Sequence, residues 1–324
     1  MPIIPQKVKN IFVLRNDRLG EFLLNIPALR ALRESFPYAR ISVALDPYLK
    51  ELGEDVSFID EIIEWPGQRH SILKRLSLVR LLKKKRIDIA IMLNPSKEMN
   101  ICTFLAGIGV RAGYNRKWGF LLTHKIEDRK YLGCFHEVEY NLQLAELIGA
   151  RTADKTVSLK VHPDLFREVY KDGDTRNLIA LHPWTSDAVK QWPLNNFYDL
   201  SVRLIKDSGL KLVIVGGRQE AERNREVFAD LGSNALDLTG QTTLRQLAAV
   251  LARCRLLVSG DSGPMHLAAA LGIPVIAIFR NDIPAKGPKR WGPWGNTHVV
   301  IEKDNLCAIT VEEVLEKVKE RMGG

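Results

Sequence analysis

Along this chain, short apolar runs alternate with longer stretches in which apolar residues recur every three or four positions. Ile11–Leu14, Ile41–Leu45 and Ile87–Leu93 have the length and continuity of buried strands, and Val110–Ala112 and Lys125–Ile126 read as shorter ones. Phe22–Ser35 has helical spacing and stops before Pro37, which cannot continue a helix. In the second half, Leu178–Leu181, Lys211–Val215, Ala235–Leu238, Arg255–Val258 and Val275–Phe279 are strand-like, whereas Phe197–Lys206 and Glu220–Asp230 have helical spacing. Thr243 with Gln246, and Thr310 with Glu313, form capping boxes that predict helix starts at Leu244 and Val311. Strand and helix in alternation predict an α/β protein of parallel sheets covered on both faces.

A chain of 324 residues is too long for one typical core. The stretch 151–176 is polar, with Pro163, Gly173 and four aspartates. We therefore expect domains over 1–160 and 177–324, joined by a linker at 161–176. Each is a Rossmann-like, doubly wound domain, and the two face each other across a cleft. The last helix is expected to pack back on the N-terminal domain.

Composition narrows the class. Hydrophobic residues at 46% and charged residues at 26% are ordinary for a soluble globular protein. No apolar run reaches the ~20 residues needed to span a bilayer. The N-terminus MPIIPQKVKN lacks the apolar core of a signal peptide, so a cytoplasmic location is expected. Cys102, Cys134, Cys254 and Cys307 are scattered without a CxxC pair. They read as buried thiols, and neither a disulfide framework nor a metal site is expected. A net charge of +9 calls for anionic partners: nucleic acid, lipid headgroups or phosphorylated substrates. No zinc finger or RNP motif supports nucleic acid.

Candidate chemistry follows the predicted strands. The block Ser259-Gly260-Asp261-Ser262-Gly263-Pro264-Met265-His266 is a glycine-bracketed loop opening a helix, with Pro264 suited to its first turn. Such a helix start favours an anion. His266 is either a core histidine or a ligand. After Leu14 comes Arg15-Asn16-Asp17-Arg18-Leu19-Gly20-Glu21. Glu21 either takes a proton from a hydroxyl or merely complements a helix dipole. After Leu181, the loop His182–Pro193 offers Thr185, Ser186 and Lys190 to phosphate oxygens, or is an ordinary solvated loop. Gly216-Gly217 permits close approach of a ligand, and Glu220 can meet ribose hydroxyls or simply sit at a helix start. The segment 69–86 is basic, with an apolar stripe at Leu73, Leu76 and Leu82. It reads either as a surface helix packed by that stripe or as an arm for an anionic membrane or acceptor, through Lys83–Arg86 above all.

Together these blocks resemble glycosyltransferase family 9, the ADP-heptose:lipopolysaccharide heptosyltransferases. The resemblance rests on Arg15–Glu21 with Ile26–Leu32, on His182–Pro193, and on Gly260–Ala270. It implies a GT-B fold and inverting, metal-independent transfer of a heptose from ADP-L-glycero-D-manno-heptose to the lipopolysaccharide inner core. That chemistry would run at the cytoplasmic face of the inner membrane, with no cofactor beyond the donor substrate. By position it implies Glu21 as general base. Donor contacts would come from Thr185, Ser186, Lys190, Gly216, Glu220, Asp261, Ser262, Gly263 and His266, and acceptor contacts from Arg15, Arg18, Lys83 and Lys84. Two departures stand out. Glu21 replaces the family's usual aspartate, and Phe279-Arg280-Asn281-Asp282 replaces Phe-Gly-Pro-Thr. Arg280 is therefore expected to retune donor choice or to add a cation to the diphosphate. The rival readings are a different nucleotide sugar or acceptor, and a non-catalytic nucleotide-sugar or glycan binder on the same fold.

Overall fold

The apolar runs become the central strands of two parallel sheets in a computed structural model, which describes residues 3–68, 70–170, 177–208, 210–224 and 227–323. The chain forms two compact units, Met1–Val157 and Ser158–Gly324. In the first, β1 (Asn10–Leu14), β2 (Arg40–Leu45), β3 (Glu61–Glu64), β4 (Ile89–Met92), β5 (Val110–Tyr114) and β6 (His124–Ile126) lie in the order β3-β2-β1-β4-β5-β6. In the second, β7 (Leu178–His182), β8 (Lys211–Ile214), β9 (Ala235–Asp237), β10 (Leu256–Gly260), β11 (Val275–Arg280) and β12 (Val299–Lys303) lie in the order β12-β11-β10-β7-β8-β9. Read from its other edge, the second order is that of the first. Both units are thus doubly wound: the strands stay parallel, and the direction in which successive strands are added reverses between β1 and β4 and again between β7 and β10. Ligands of such sheets bind beyond the carboxyl ends of the strands at that switch point.

Burial explains the sheets. β1, β2 and β4 are apolar and inaccessible almost throughout, as are β7, β10 and β11. Strands covered on both faces read as continuous apolar runs. The second core gathers Ile179, Leu181, Val258 and Ile278 with Trp192, whose indole N–H donates to the Ile309 carbonyl at 2.9 Å. Both predicted capping boxes are present, at Thr243 and Thr310.

Several expectations change. Phe22–Ser35 is not one helix but two, Leu19–Leu23 and Ile26–Ser35. Pro27 lies in the first turn of the second, where its missing N–H does no harm. The helical reading of Glu220–Asp230 resolves into the helix Arg218–Asn224 and a 3-10 stretch Ala229–Asn234, and residues 225–226 lie outside the described ones. Within the expected linker, Phe166–Val169 is helical and packs on the helix Leu244–Leu251 of the second unit, while 171–176 lie outside the described residues. The C-terminal helix Val311–Met322 buries Val311, Val314, Leu315 and Val318 in the core of its own unit. Cys134 and Cys307 are exposed, and only Cys102 and Cys254 are the buried thiols expected. Among the described residues, no helix is long and apolar enough to cross a membrane.

Candidate functional site

The carboxyl ends of β7, β8 and β10 bring three distant segments together. Lys190, in the loop after β7, forms an ion pair with Asp261, just after β10. Both side chains are largely withdrawn from water, so the pair is screened less than a surface one. Gly260 makes this approach feasible: a Cβ there would stand 3.1 Å from Thr185 Cγ2. Thr185 and Ser186 also line a pocket of 410 Å³ with Trp184, Gln191, Gln219 and Glu220. Gly216 is required by packing, because a Cβ would meet the Trp184 ring at 2.7 Å. The Glu220 carboxylate folds over Gly217, with Oε2 only 2.7 Å from where a Cβ would be.

The β7 loop is held by its own side chains. Gln191 Oε1 accepts from the Thr185 N–H at 3.1 Å, and its amide donates to the Trp192 carbonyl at 2.7 Å. The Thr185 hydroxyl donates to the Asp187 carbonyl at 2.9 Å, so the group expected on phosphate is occupied within the loop. Asp187 caps the turn Ala188–Lys190 and pairs with Lys286 at 2.9 Å. The Lys286 hydrogen bond is the chief reason its carboxyl lies below its ordinary range. Arg280 pairs with Asp282 and donates to the Val189 carbonyl at 3.0 Å. It therefore clamps the turn that carries Lys190. All three cations here, Lys190, Lys286 and Arg280, have a carboxylate partner.

The helix Gly263–Ala270 offers less than its sequence suggested. Ser262 is its N-cap and accepts from the Met265 N–H at 3.3 Å, and Pro264 has no N–H. Gly263 and the helix dipole remain to face an anion. Ser262 Oγ also lies 2.9 Å from Ser259 Oγ, which in turn is 3.4 Å from His182 Nδ1. His182 is fully buried, and burial pulls its pKa down to about 4, so it is neutral at pH 7. His266 is buried in the helix behind this loop.

In the first unit, Glu21 lies half-buried in the first turn of Leu19–Leu23, beyond the carboxyl end of β1. Arg15 is not available to a ligand: it is buried, 2.9 Å from Asp17 and 3.8 Å from Glu137, and donates to the Leu93 carbonyl at 3.2 Å. Lys130 joins the same buried network through Glu137 and lies 4.8 Å from the Tyr114 ring centroid. These contacts tie the end of β1 to the end of β4 across the switch point. Asp17, which the sequence did not single out, has a pKa pushed up to about 6. Burial dominates, the Glu21 charge adds to it, and Arg15 opposes it. Arg18 is exposed beside this cluster. Lys83 and Lys84 are elsewhere. They end the helix Ile72–Lys84, whose next residues return to the amino ends of the strands, where Asp88 accepts from the Asn10 N–H at 2.9 Å. They lie at the opposite end of the sheet from Glu21 and do not join Arg15 and Arg18. Arg69, the start of that basic segment, lies outside the described residues.

The model of glycosyltransferase family 9 (heptosyltransferase) matches residues 75–319, a span that begins after Glu21. Lipopolysaccharide heptosyltransferase 2 of Escherichia coli K12 is 28% identical over 294 residues, covering 85% of this chain and 83% of that protein. The crystal structure of a family 9 glycosyl transferase from Veillonella parvula superposes with a TM-score of 0.85 at 22% identity, covering 98% of each chain. The structure of the E. coli ADP-heptose lps heptosyltransferase II gives 0.82 at 25%, covering 97% of this chain and 98% of that one.

Proposed function

The chain belongs to glycosyltransferase family 9 and is a glycosyltransferase, and on that premise we propose that it moves a heptose from ADP-L-glycero-D-manno-heptose to the lipopolysaccharide inner core. The relatives that carry this activity in their names support the sugar and the acceptor class. The observation that carries the donor side is the pocket lined by Trp184, Thr185, Ser186, Gln191, Gln219 and Glu220 beyond β7 and β8, with the Lys190–Asp261 ion pair joining the same β7 loop to the end of β10. In this reading Glu220 takes the ribose hydroxyls, and Ser186, Lys190 and Gly263 take the diphosphate. Asp261 holds Lys190 until the donor phosphates compete for it.

In our reading, the Glu21 carboxylate takes the proton of the acceptor hydroxyl. The oxygen then attacks the anomeric carbon from the face opposite the leaving group, forming the new C–O bond. The bond from that carbon to the β-phosphate oxygen breaks, and ADP leaves with its electron pair. Inversion follows from this single displacement. Lys190 and the helix dipole at Gly263 supply the positive field on the leaving group, so no metal is invoked. The acceptor is the anionic core on the cytoplasmic side of the inner membrane, which suits a chain of net charge +9.

The experiment is ADP release from ADP-heptose with a heptose-free core acceptor. Glu21→Gln should lower kcat by roughly 10²–10⁴-fold with donor affinity unchanged. Lys190→Ala should raise donor KM as well as lower the rate. Near-normal turnover of Glu21→Gln would remove the base assignment. Tight ADP binding with no turnover on any acceptor would make the protein a binder. Loss of turnover in chelator, restored by a divalent ion, would overturn the metal-free reading.

A further inference from the structure

Helix Lys97–Leu105 turns an apolar stripe outward. Met99, Asn100, Cys102 and Thr103 are buried. Lys97, Ile101, Phe104 and Leu105 follow the i, i+4, i+7, i+8 spacing of the opposite face, and all but the half-buried Ile101 are exposed. The neighbouring helix Ile72–Lys84 does the same near its start. Its core face is Leu78, Val79 and Leu82, whereas Ile72 is 72% and Leu73 79% exposed, with Leu76 exposed beside them. The stripe read from sequence at Leu73, Leu76 and Leu82 is therefore split, and only Leu82 packs inside. The two helices are in contact: Arg75 pairs with Glu98, and Cys102 Sγ lies 4.0 Å from the Arg75 carbonyl.

The loop after β5 extends the same surface. Asn100 holds it by donating to the Lys117 carbonyl at 3.0 Å. Lys117 and Trp118 are both left-handed (φ 49° and 69°), a backbone state that costs non-glycine residues energy. The strain holds Trp118 outward, with Phe120 at 5.6 Å between ring centroids and 68% exposed. Exposed apolar clusters of this kind on a soluble domain mark interaction surfaces. Arg75 has Glu98 as its partner, but among the described residues Lys74, Lys97 and Lys117 form no ion pair with a carboxylate. Lys97 lies 4.1 Å over the Trp118 ring and Lys74 5.4 Å over Trp65, and Lys117 donates to the Pro95 carbonyl.

We propose that this face of the N-terminal unit, formed by Ile72, Leu73, Leu76, Phe104, Leu105, Trp118 and Phe120 within a rim of Lys74, Lys97 and Lys117, docks on an anionic lipid bilayer. Apolar side chains inserted at the headgroup boundary and lysines on lipid phosphates are the two terms of interfacial binding. An aromatic ring with an ammonium stacked on it suits the same depth. The occupant is a bilayer rather than a protein because unpaired lysines surround aliphatic tips. The contact is made by these tips, not by the Lys83–Arg86 run. The inference deepens the acceptor side of the function proposed above, since a lipid-borne acceptor would lie in that surface. Its test reads binding alone.

Full-length protein is floated with phosphatidylethanolamine vesicles containing phosphatidylglycerol, and with phosphatidylcholine vesicles. We expect binding to the anionic vesicles only, weakened by 0.5 M salt, and lowered at least tenfold by Leu73→Asp with Phe104→Asp. The milder Leu73→Ser with Phe104→Ser should lower it less. All these sites are exposed, so melting temperatures should be unchanged, and ADP release on a delipidated core acceptor should match the parent. Equal flotation of parent and variants, or none to anionic vesicles, overturns the proposal. So does a dimer in solution that the aspartates dissociate, because a second copy would then be the occupant. Lost heptosyl transfer with intact flotation would instead count against the function proposed above and leave the bilayer contact standing.

Discussion

At the residue scale, the two switch points hold titratable groups that act in opposite directions. His182 has its pKa lowered from 6.5 to about 4 by burial. Its unfolded form binds a proton more readily, so its contribution is complete above pH 6.5 and is lost as pH falls towards 4. Asp17 has its pKa raised from 3.8 to about 6, again mainly by burial. Here the folded form binds the proton more readily, so the contribution is present below pH 3.8 and is lost as pH rises through 6. Each shift corresponds to at most about 3 kcal/mol, and Asp17, being partly exposed, to less. Between pH 4 and 6 the two nearly offset each other. Asp17→Asn removes the compensating group. Its melting temperature, relative to the parent, should fall by about 3 °C between pH 7.5 and pH 4.5, as about 2 kcal/mol would produce in a chain of this size. Parallel profiles for the two proteins would show that Asp17 does not titrate in this range.

At the element scale, the turn Ala188–Lys190 is the piece on which the proposed donor site depends, and Arg280 is its clamp through the Val189 carbonyl and Asp282. Arg280→Ala should raise donor KM roughly 3–10-fold, with a smaller loss in kcat, because Lys190 keeps Asp261 but loses its fixed backbone, a loss of about 1 kcal/mol. Arg280→Lys separates the roles. A lysine cannot reproduce the two-pronged grip on Asp282, so a clamp is not rescued, whereas a charge aimed at phosphate would be. Steady-state kinetics of both variants decide it. The same scale shows what could be read in advance. Central strands such as β1 and β10 were legible because burial on both faces makes them continuously apolar. Two of the four edge strands were not: β3 is Glu61-Ile62-Ile63-Glu64 and β12 alternates in exposure, so neither makes an apolar run. The loops bearing Glu21, Lys190 and Asp261 were legible because each follows a central strand. The surroundings of Arg15 and Lys83 were not legible, because charge in a sequence does not say which end of a sheet it reaches, or whether a buried Glu137 is waiting for it. Gln191 and Asp17 carried no local signal, since their partners come from the folded loops.

At the scale of the whole molecule, one strand order occurs twice with little sequence in common, and each copy places chemistry at its own switch point. The second copy gathers pocket, lysine and helix start, the features a nucleoside diphosphate needs. The first gathers Glu21, Asp17 and a buried network of Arg15, Lys130 and Glu137, where the proposed reading puts the acceptor hydroxyl. This division predicts where each ligand protects the backbone. With ADP at a hundredfold excess over its Kd, amides of the C-terminal unit that exchange only by its unfolding should slow by about 100-fold. Loop amides at 184–191, 216–220 and 260–266 should slow alongside them. The core amides of β1 and β4 should be unchanged by ADP, and the delipidated core acceptor should instead slow 15–25. Hydrogen exchange followed by mass spectrometry resolves these segments. If ADP protected β1 as strongly as β10, nucleotide binding could not be assigned to the second copy alone, and the placing of Glu220, Lys190 and Gly263 on the donor would have to be redrawn.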